Sequence, residues 1–504
     1  MYCLTIIFFY NYTFCQNTAW NLVLEKEVAR FIGDQVYETD SFYYVAGTSI
    51  DTFGMVEQGF TVSKVDKKDA SVVATRHYDE EGVQLDFDYC RNGFLIGDVI
   101  YLPQATLTYP ASVQLFGINI YTLAVEKLCS VPPPDPASKY TMFLLDFQRI
   151  GDDLYIMTEY YIGEYNTPTF KSIPIVIKYN ISSKEHRIIR SFEGYGRMSI
   201  NKMAKFNDQC LLFGSIAGSI LATGKMIIFY LDREGNLLWE YQTPFTSPVY
   251  DVKDVYPLND REVLLASYDS YFSYEDHYLY SRWTVTRYDV PDNKIIWSSY
   301  WDEPRTPNIW NYARIVKAKN DGEFLLMAND YVGNDTSNYT VGKVVKFNGN
   351  GQRLWQKTYY YNNTLWSLRN EFNNMIPVSD NSYLIVGAEN LVQSPWVIKI
   401  DEEGNIVPID TTSSAYGTER SPAIAGIKVY PNPSGDRIII NQGEMRDMRY
   451  ELRDLSGLRV RTLDQTEAHQ NVIWDIRDVP PGIYVLLILQ DGKVMGSRQV
   501  VVAR

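Results

Sequence analysis

The chain has 504 residues and a formal net charge of −14, enough for two or three domains with a sizeable core. Aromatic residues make up 14 % and Tyr alone occurs 40 times, which sets the composition apart from disordered chains and favours strands. The last 78 residues hold 11 Lys/Arg and 10 Asp/Glu, net +1, so the first 426 carry −15; such an acidic body argues against nucleic acid, which needs a basic stripe, and against an acidic membrane surface.

The chain opens "MYCLTIIFFYNYTFCQNTAW", with a short apolar run, Leu4–Tyr10, ahead of Thr13-Phe14-Cys15-Gln16. This reads as a secretory signal peptide over residues 1–15, with cleavage near Cys15/Gln16. Its first residues lack Lys and Arg, and Asn11 interrupts the apolar core, as in a leader shortened by a misplaced start codon. A buried N-terminal strand is the alternative. No later run reaches 18 apolar residues, so no transmembrane segment is expected. Cys90, Cys129 and Cys210 form no CxxC pair and read as core thiols, with neither a zinc pattern nor a disulfide framework.

A period governs residues 16–410. A turn Asp recurs ahead of a short apolar strand: "TDSFYYVAG" at Asp40, "GDVIYLP" at Asp98, "GDDLYIMTE" at Asp152, "NDQCLLFGS" at Asp208, "NDREVLLAS" at Asp260, "NDGEFLLMA" at Asp321 and "SDNSYLIVG" at Asp380. The steps are 58, 54, 56, 52, 61 and 59 residues. One strand precedes each Asp, as in "ARIVKAK", and two follow the apolar one, as in "WTVTRYD" and "KIIWSSY". Trp239, Trp297 and Trp355 repeat 58 residues apart in the last of these strands. Asp and Asn suit the first turn because they tolerate the left-handed region, and Gly235, Gly351 and Gly404 do the same for the second. Four antiparallel strands per unit is the sequence form of a propeller blade, which cannot bury both faces alone and must stack into a closed ring. Seven units predict a seven-bladed β-propeller, with "NLVLEKE" (Asn21–Glu27) available to complete the last blade; six or eight blades are also compatible.

"DREGNLLW" (Asp232–Trp239) and "DNKIIW" (Asp292–Trp297) resemble the tryptophan-docking turns of quinoprotein-like propellers. The resemblance covers architecture only: the adjacent cysteines and the calcium site with catalytic acid of such enzymes are missing from the sequence, as is the Asp-box spacing of sialidases. No cofactor and no metal is therefore expected.

Residues 411–426, "TTSSAYGTERSPAIAG", are small, polar and Pro/Gly-bearing and read as a linker. The last 78 residues, 427–504, contain seven short strand signals, "IKVYPNP", "RIIINQ", "RYELRDLSG", "RVRTLD", "QNVIWDIRD", "GIYVLLILQ" and "KVMGSRQVVVA", which predict an immunoglobulin-like β-sandwich. "YPNPS" (Tyr430–Ser434), "YELRDLSGLRV" (Tyr450–Val460), "DVPPGIYVLLI" (Asp478–Ile488) and the closing "GKVMGSRQVVVAR" follow one another in the order and spacing of a known family. The segment is similar to the type A C-terminal sorting domain of type IX secretion cargo in Bacteroidota, although the final strand lacks the family's frequent Lys-rich ending. The resemblance implies sorting residues Tyr430, Pro431, Asn432, Pro433, Gly457, Gly482 and Tyr484. It also implies a route through the periplasm to the outside or to the outer-membrane cell surface, with the type IX translocon and a sortase-like peptidase as partners. Removal of the domain and attachment to lipopolysaccharide are common in the family.

The chemistry of the main domain is less legible. The four histidines, His77, His186, His277 and His469, do not pair at ligand spacing, and "SYEDHY" (Ser273–Tyr278) reads as a solvated loop. In a blade the second-to-third connection shares a face with the link to the next blade, and here those connections are the long ones. They carry Tyr160, Tyr161, Tyr165, Tyr271, Tyr274, Trp301, Trp310 and Trp366. Aromatics with few charges suit flat sugar faces or a protein partner, so these eight are the expected ligand-binding residues of a non-enzymatic glycan- or protein-binding propeller. Packing of the same aromatics between blades is the competing reading. A secreted carbohydrate-active hydrolase or lyase using Asp269, Glu275, Asp276 and Asp302 is the alternative function. The address is tested by deleting Ile427–Arg504: the truncated chain is expected to stay in the periplasm, and its appearance on the cell surface by immunoblot of protease-shaved cells would refute the sorting role.

Overall fold

The computed structural model describes residues 20–502 apart from 25–29, 51–57, 81–84, 87–91, 107–110, 135–142, 163–170, 195–197, 218–223, 243–250, 274–277, 302–311, 335–336, 360–369, 390–393, 410–427, 431–434, 442–447, 454–458, 466–470 and 491–492. The described residues form strands and turns without a helix, and the chain divides into two compact units, Met1–Pro408 and Ile409–Arg504.

The first unit is seven antiparallel sheets in succession, each the product of one sequence repeat. Blade 3 shows the pattern. Its inner strand Phe143–Ile150 turns at Gly151-Asp152 into Asp153–Ile162, which pairs with Lys171–Asn180, which pairs with the outer strand His186–Ser191. Blades 4, 5 and 6 start at Met198, Asp251 and Ala313 and have the same order. In blades 1 and 2 the inner strand is split, into Arg30–Phe31 and Gln35–Glu38 and into Leu85–Asp86 and Phe94–Ile96. Seven blades is therefore the observed number.

Turn chemistry explains the repeat. In five of the seven units the first turn places a residue beside the recurrent Asp at positive φ: Gly97, Gly151, Asn207, Gly322 and Asn381. The second turn has one left-handed residue in every blade, at Ala70, Leu123, Lys184, Gly235, Asn293, Gly351 and Gly404. Glycine is required at the last two of these for a further reason. Trp297 of blade 5 donates Nε1–H to the Gly349 carbonyl (3.1 Å) and its ring lies where a Cβ on Gly351 would sit; Trp355 does the same against Glu402 (3.2 Å) and Gly404. Each Trp thus docks on the hairpin turn of the next blade, which accounts for the Trp-to-Gly spacing in the sequence.

Apolar side chains fill the spaces between successive blades. Leu115, Phe147, Ile156 and Ile175 pack between blades 2 and 3, and Phe213, Ile228, Val263 and Leu265 between blades 4 and 5. The ring closes through the N-terminus. Asn21–Val23 pairs with Ser394–Ile400 as the outer strand of blade 7, otherwise built from Asn370–Pro377 and Tyr383–Glu389. Around it, Trp20 N–H donates to the Val407 carbonyl (2.9 Å), Lys399 N–H to the Trp20 carbonyl (2.9 Å) and Trp396 Nε1–H to Asn21 Oδ1 (2.7 Å). The Trp20 ring is buried edge-on to Tyr43 of blade 1 at 5.4 Å. On the same seam the Glu38 carboxylate accepts from Ser379 N–H (3.0 Å), Ser379 Oγ–H (2.7 Å) and Lys67 Nζ (2.6 Å).

The second unit has two sheets. Lys428–Tyr430, Arg437–Asn441 and Asn471–Asp475 form one, and Arg459–Gln465, Met448–Arg453, Gly482–Gln490 and Lys493–Val502 the other, in those spatial orders. All seven predicted strands are present. Their inward faces meet in one core that includes Ile438, Ile440, Tyr450, Trp474, Leu486 and Val500.

Closure by a three-residue strand makes Trp20 the anchor of the ring. Trp20→Ala in the full chain is expected to lower the unfolding free energy by about 3–5 kcal/mol, read as a fall in the urea midpoint of the propeller transition.

Candidate functional site: an axial polar ring

Six residues before the turn Asp of each unit the chain carries a polar side chain: Asp34, Asn92, Asp146, Lys202, Asp254 and Asn374, with Arg314 seven residues before Asp321, where the turn is one residue longer. The inner strands break register just ahead of this position. Bulges fall between Leu144 and Asp146, Ile200 and Lys202, Val252 and Asp254, and Phe372 and Asn374, and the split inner strands of blades 1 and 2 resume at Gln35 and Phe94, just past Asp34 and Asn92. A bulge re-aims the side chain that follows it. Arg314 of blade 6 stands on an unbroken ladder, and five of the seven residues come together at the inner strands.

Five of them form a closed circuit. Asn92 Nδ2–H donates to Asp146 Oδ1. Lys202 Nζ lies 3.3 Å from Asp146 Oδ1 and 3.8 Å from Asp254 Oδ1, and Arg314 Nη1 lies 3.6 Å from Asp254 and donates to Asn92 Oδ1 at 2.7 Å. The last bond runs from blade 6 to blade 2, across the ring. Blades 7 and 1 are joined beside it, where Asn373 Nδ2–H donates to the Gly33 carbonyl (2.9 Å) and to Asp34 Oδ1 (3.3 Å). The carboxylates also take backbone donors from the next inner strand: Asp146 from Met203 N–H (2.8 Å) and Asp254 from Ile315 N–H (2.7 Å). Asp146, Asp254 and Lys202 are buried and the Arg314 side chain is 30 % exposed. Two carboxylates and two cations cancel, so the circuit is neutral. It is a seal that locks inner strands to one another.

The candidate aromatics are distributed differently from the sequence expectation. Tyr160 is 1 % exposed in the core between blades 2 and 3, opposite Ile173, so it is a packing residue. Trp301 is half-buried, donates Nε1–H to the Gly351 carbonyl (3.2 Å) and packs on Phe347 at 5.2 Å; it docks one blade on the next, as Trp297 does. Tyr161 is half-buried and hydrogen-bonds Glu159. Tyr271 lies in the second strand of blade 5, opposite Tyr280. Tyr165, Tyr274, Trp310 and Trp366 are outside the described residues, as are Glu275, Asp276 and Asp302; Asp269 sits opposite Arg282.

Three further groups were not evident from the sequence. Glu159 is buried between blades 3 and 4, where Ser199 Oγ–H donates to it at 3.1 Å; burial pushes its carboxyl above the ordinary range while the hydroxyls of Ser172, Tyr161 and Ser199 pull it back. His77 Nδ1 lies 2.9 Å from Ser49 Oγ and 3.1 Å from Thr61 Oγ1, but Ser49 is fully buried, which makes this a core hydrogen bond. A depression of about 880 Å³ lies where the hairpin turns of blades 3 and 4 meet, lined by Asp153, Lys178, His186, Arg187 and Glu234 among others. Within it Lys178 pairs with Asp153 (3.1 Å) and Glu234 (2.9 Å), and Arg187 with Glu234.

In the second unit, Tyr430 ends the first strand opposite Ile439, and Gly482 opens the strand that carries Tyr484. Tyr484 is buried and donates its hydroxyl to the Pro480 carbonyl four residues upstream (2.8 Å), the geometry of a tyrosine corner. Pro431, Asn432, Pro433 and Gly457 lie outside the described residues. Residues 428–503 match the family model of the secretion system C-terminal sorting domain. The second unit is a type IX sorting domain. A chain with this sorting domain is exported, to the cell surface or the medium, and the sorting domain engages the type IX machinery on the way.

No curated protein matches the chain. Solved structures similar to it include Drosophila Semaphorin 2a (9 % identity, 99 % of this chain and 100 % of that one, TM-score 0.44). Others are the polysaccharide lyase Uly1 (9 %, 79 % and 94 %, 0.43) and the β-propeller domain of the trilobed protease from Pyrococcus furiosus (10 %, 77 % and 97 %, 0.36). At these identities the likeness is one of fold alone.

If the ring is a seal, removing one charge must leave its partner stranded. Lys202→Met keeps the length of the side chain but leaves Asp146 and Asp254 with less compensation, and is expected to destabilise the full chain by about 3 kcal/mol or more, measured by denaturant unfolding.

Proposed function

We propose that the exported propeller is a non-enzymatic binding module that engages a glycan or a surface protein through the face of its long second-to-third connections. The observation that carries this reading is a pair of raised hairpins on adjacent blades. In blade 5 the inner pairing among the described residues reaches Tyr268, and the second strand continues to Ser273 and returns from Tyr278. In blade 6 the inner pairing among the described residues ends at Ala328, and the hairpin runs on to Asn334 and returns from Ser337. These extensions contain Tyr271, Phe272, Tyr278, Tyr280, Tyr331 and Tyr339. Aromatic side chains on paired strands give a ligand large rigid surface at small entropic cost, which suits a sugar face or a protein patch.

The neutral axial ring supports the same reading, because its charges are engaged with one another and leave the outer face to make the contacts. The linker at 411–426 serves release of the sorting domain by a sortase-like peptidase, after which residues 16–410 act at the surface or in the medium. The test is a glycan array and a surface-protein pull-down with the exported protein, run beside a polysaccharide hydrolase and lyase panel. Binding to one ligand class, weakened at least tenfold by Tyr271→Ala and Tyr331→Ala together, is the expected result. Turnover of any polysaccharide, or binding unaffected by those substitutions, would overturn it.

A further inference from the structure

An antiparallel sheet with one face on a core alternates apolar-in and polar-out. The three-stranded sheet of the sorting domain keeps that rule on its inner side, where Ile438, Ile440, Val472 and Trp474 are buried. On its outer side it breaks the rule twice. In "RIIIN" the outward residue between the two buried isoleucines is Ile439, half-buried, and in "NVIWD" the outward residue between Val472 and Trp474 is Ile473, 62 % exposed. The two departures are directly opposite each other across the strand pair. Tyr430, the first residue of the "YPNPS" motif, is opposite Ile439 on the other side. One row, Tyr430–Ile439–Ile473, therefore crosses the whole sheet. The rows that flank it are polar: Lys428, Asn441 and Asn471 on one side, Arg437 and Asp475 on the other, with Arg477 paired to Asp475 at 2.6 Å.

Nothing about folding requires an isoleucine at either outward position, since Thr or Val elsewhere on an outer face would hold the strand as well. An apolar centre inside a polar rim is the anatomy of a protein–protein interface. We propose that the Tyr430–Ile439–Ile473 row is the docking face of the sorting domain, and that its occupant is a protein of the type IX export machinery presenting an apolar depression to Ile473. Two observations on different levels favour that occupant. The unit is a sorting domain, whose role is to be read by that machinery, and the residue that opens its most distinctive motif stands in the same row as the exposed isoleucine. The inference rests on the sorting identity of this unit and is independent of the ligand proposed for the propeller.

The test compares Ile473→Thr, Ile473→Leu and the control Val460→Thr, an exposed apolar residue in the other sheet, in the full chain in its own cell. Thr keeps strand propensity and removes the apolar end; Leu keeps the apolar character. Surface and periplasmic fractions are quantified by immunoblot, and the melting temperature of each purified variant is recorded. Export of the Thr variant is expected to fall at least tenfold, with folded protein accumulating in the periplasm, while the Leu and Val460 variants reach the surface as the parent does. Equal export of the Thr and Leu variants, or equal loss in both, would overturn the proposal. So would a Thr variant that loses export only together with its melting transition, or a change from dimer to monomer by size exclusion, which would make a second copy the occupant. Because deletion of the whole domain reports the sorting role by itself, failure of the docking row is distinguishable from failure of that role.

Discussion

Everything in the propeller depends on one constraint: a four-stranded blade has two apolar faces and can bury them only against other blades. The last interface must then be made between the first and the last parts of this unit. The chain meets this with three residues, Asn21–Val23, laid along Ser394–Ile400. A strand that short is weak by itself, and its neighbours supply the missing strength. Trp20 wedges against Tyr43, its backbone is shared between Lys399 and Val407, and Glu38 gathers three donors on the same seam. Because Val407 lies at the end of the unit, both ends of the propeller are held by one set of bonds, and the segment that follows can be cut without opening the ring.

The axial ring answers the other geometric consequence of closure. Seven inner strands converge, and bulges in four of them precede the polar side chains placed there. Buried charges would be costly there unless each had a partner. The circuit Asn92–Asp146–Lys202–Asp254–Arg314 provides them, and because Arg314 of blade 6 reaches Asn92 of blade 2 it also ties opposite sides of the ring together. The same bulges explain the glycines of "VAG", "LFG" and "IVG". A Cβ on Gly47, Gly214 or Gly387 would overlap the carbonyl oxygen of Ile32, Ser199 or Glu371 on the neighbouring inner strand.

The two units divide labour. The sorting domain is a small sandwich with an ordinary apolar core, whereas the propeller carries buried charges at its inner strands.

Blade number, strand order and the sorting domain were legible in the sequence because each rests on local physics. Turn residues that accept positive φ recur at a fixed period, and two-residue alternation marks the strands. The ring column was also written there, six residues before each turn Asp, but single polar residues in apolar strands look alike until a bulge decides where they point. Tyr160 and Trp301 show the opposite limit. Both belong to aromatic-rich connections in the sequence, and both are consumed by packing, since a side chain's exposure depends on which blade stands next to it. What the sequence determined alone was the repeat and the address. Which charges cancel, which aromatics are spent, and that Ile439 and Ile473 share one outward row, only the tertiary structure decided, because each is a relation between residues that pairing brings together across long separations in the chain.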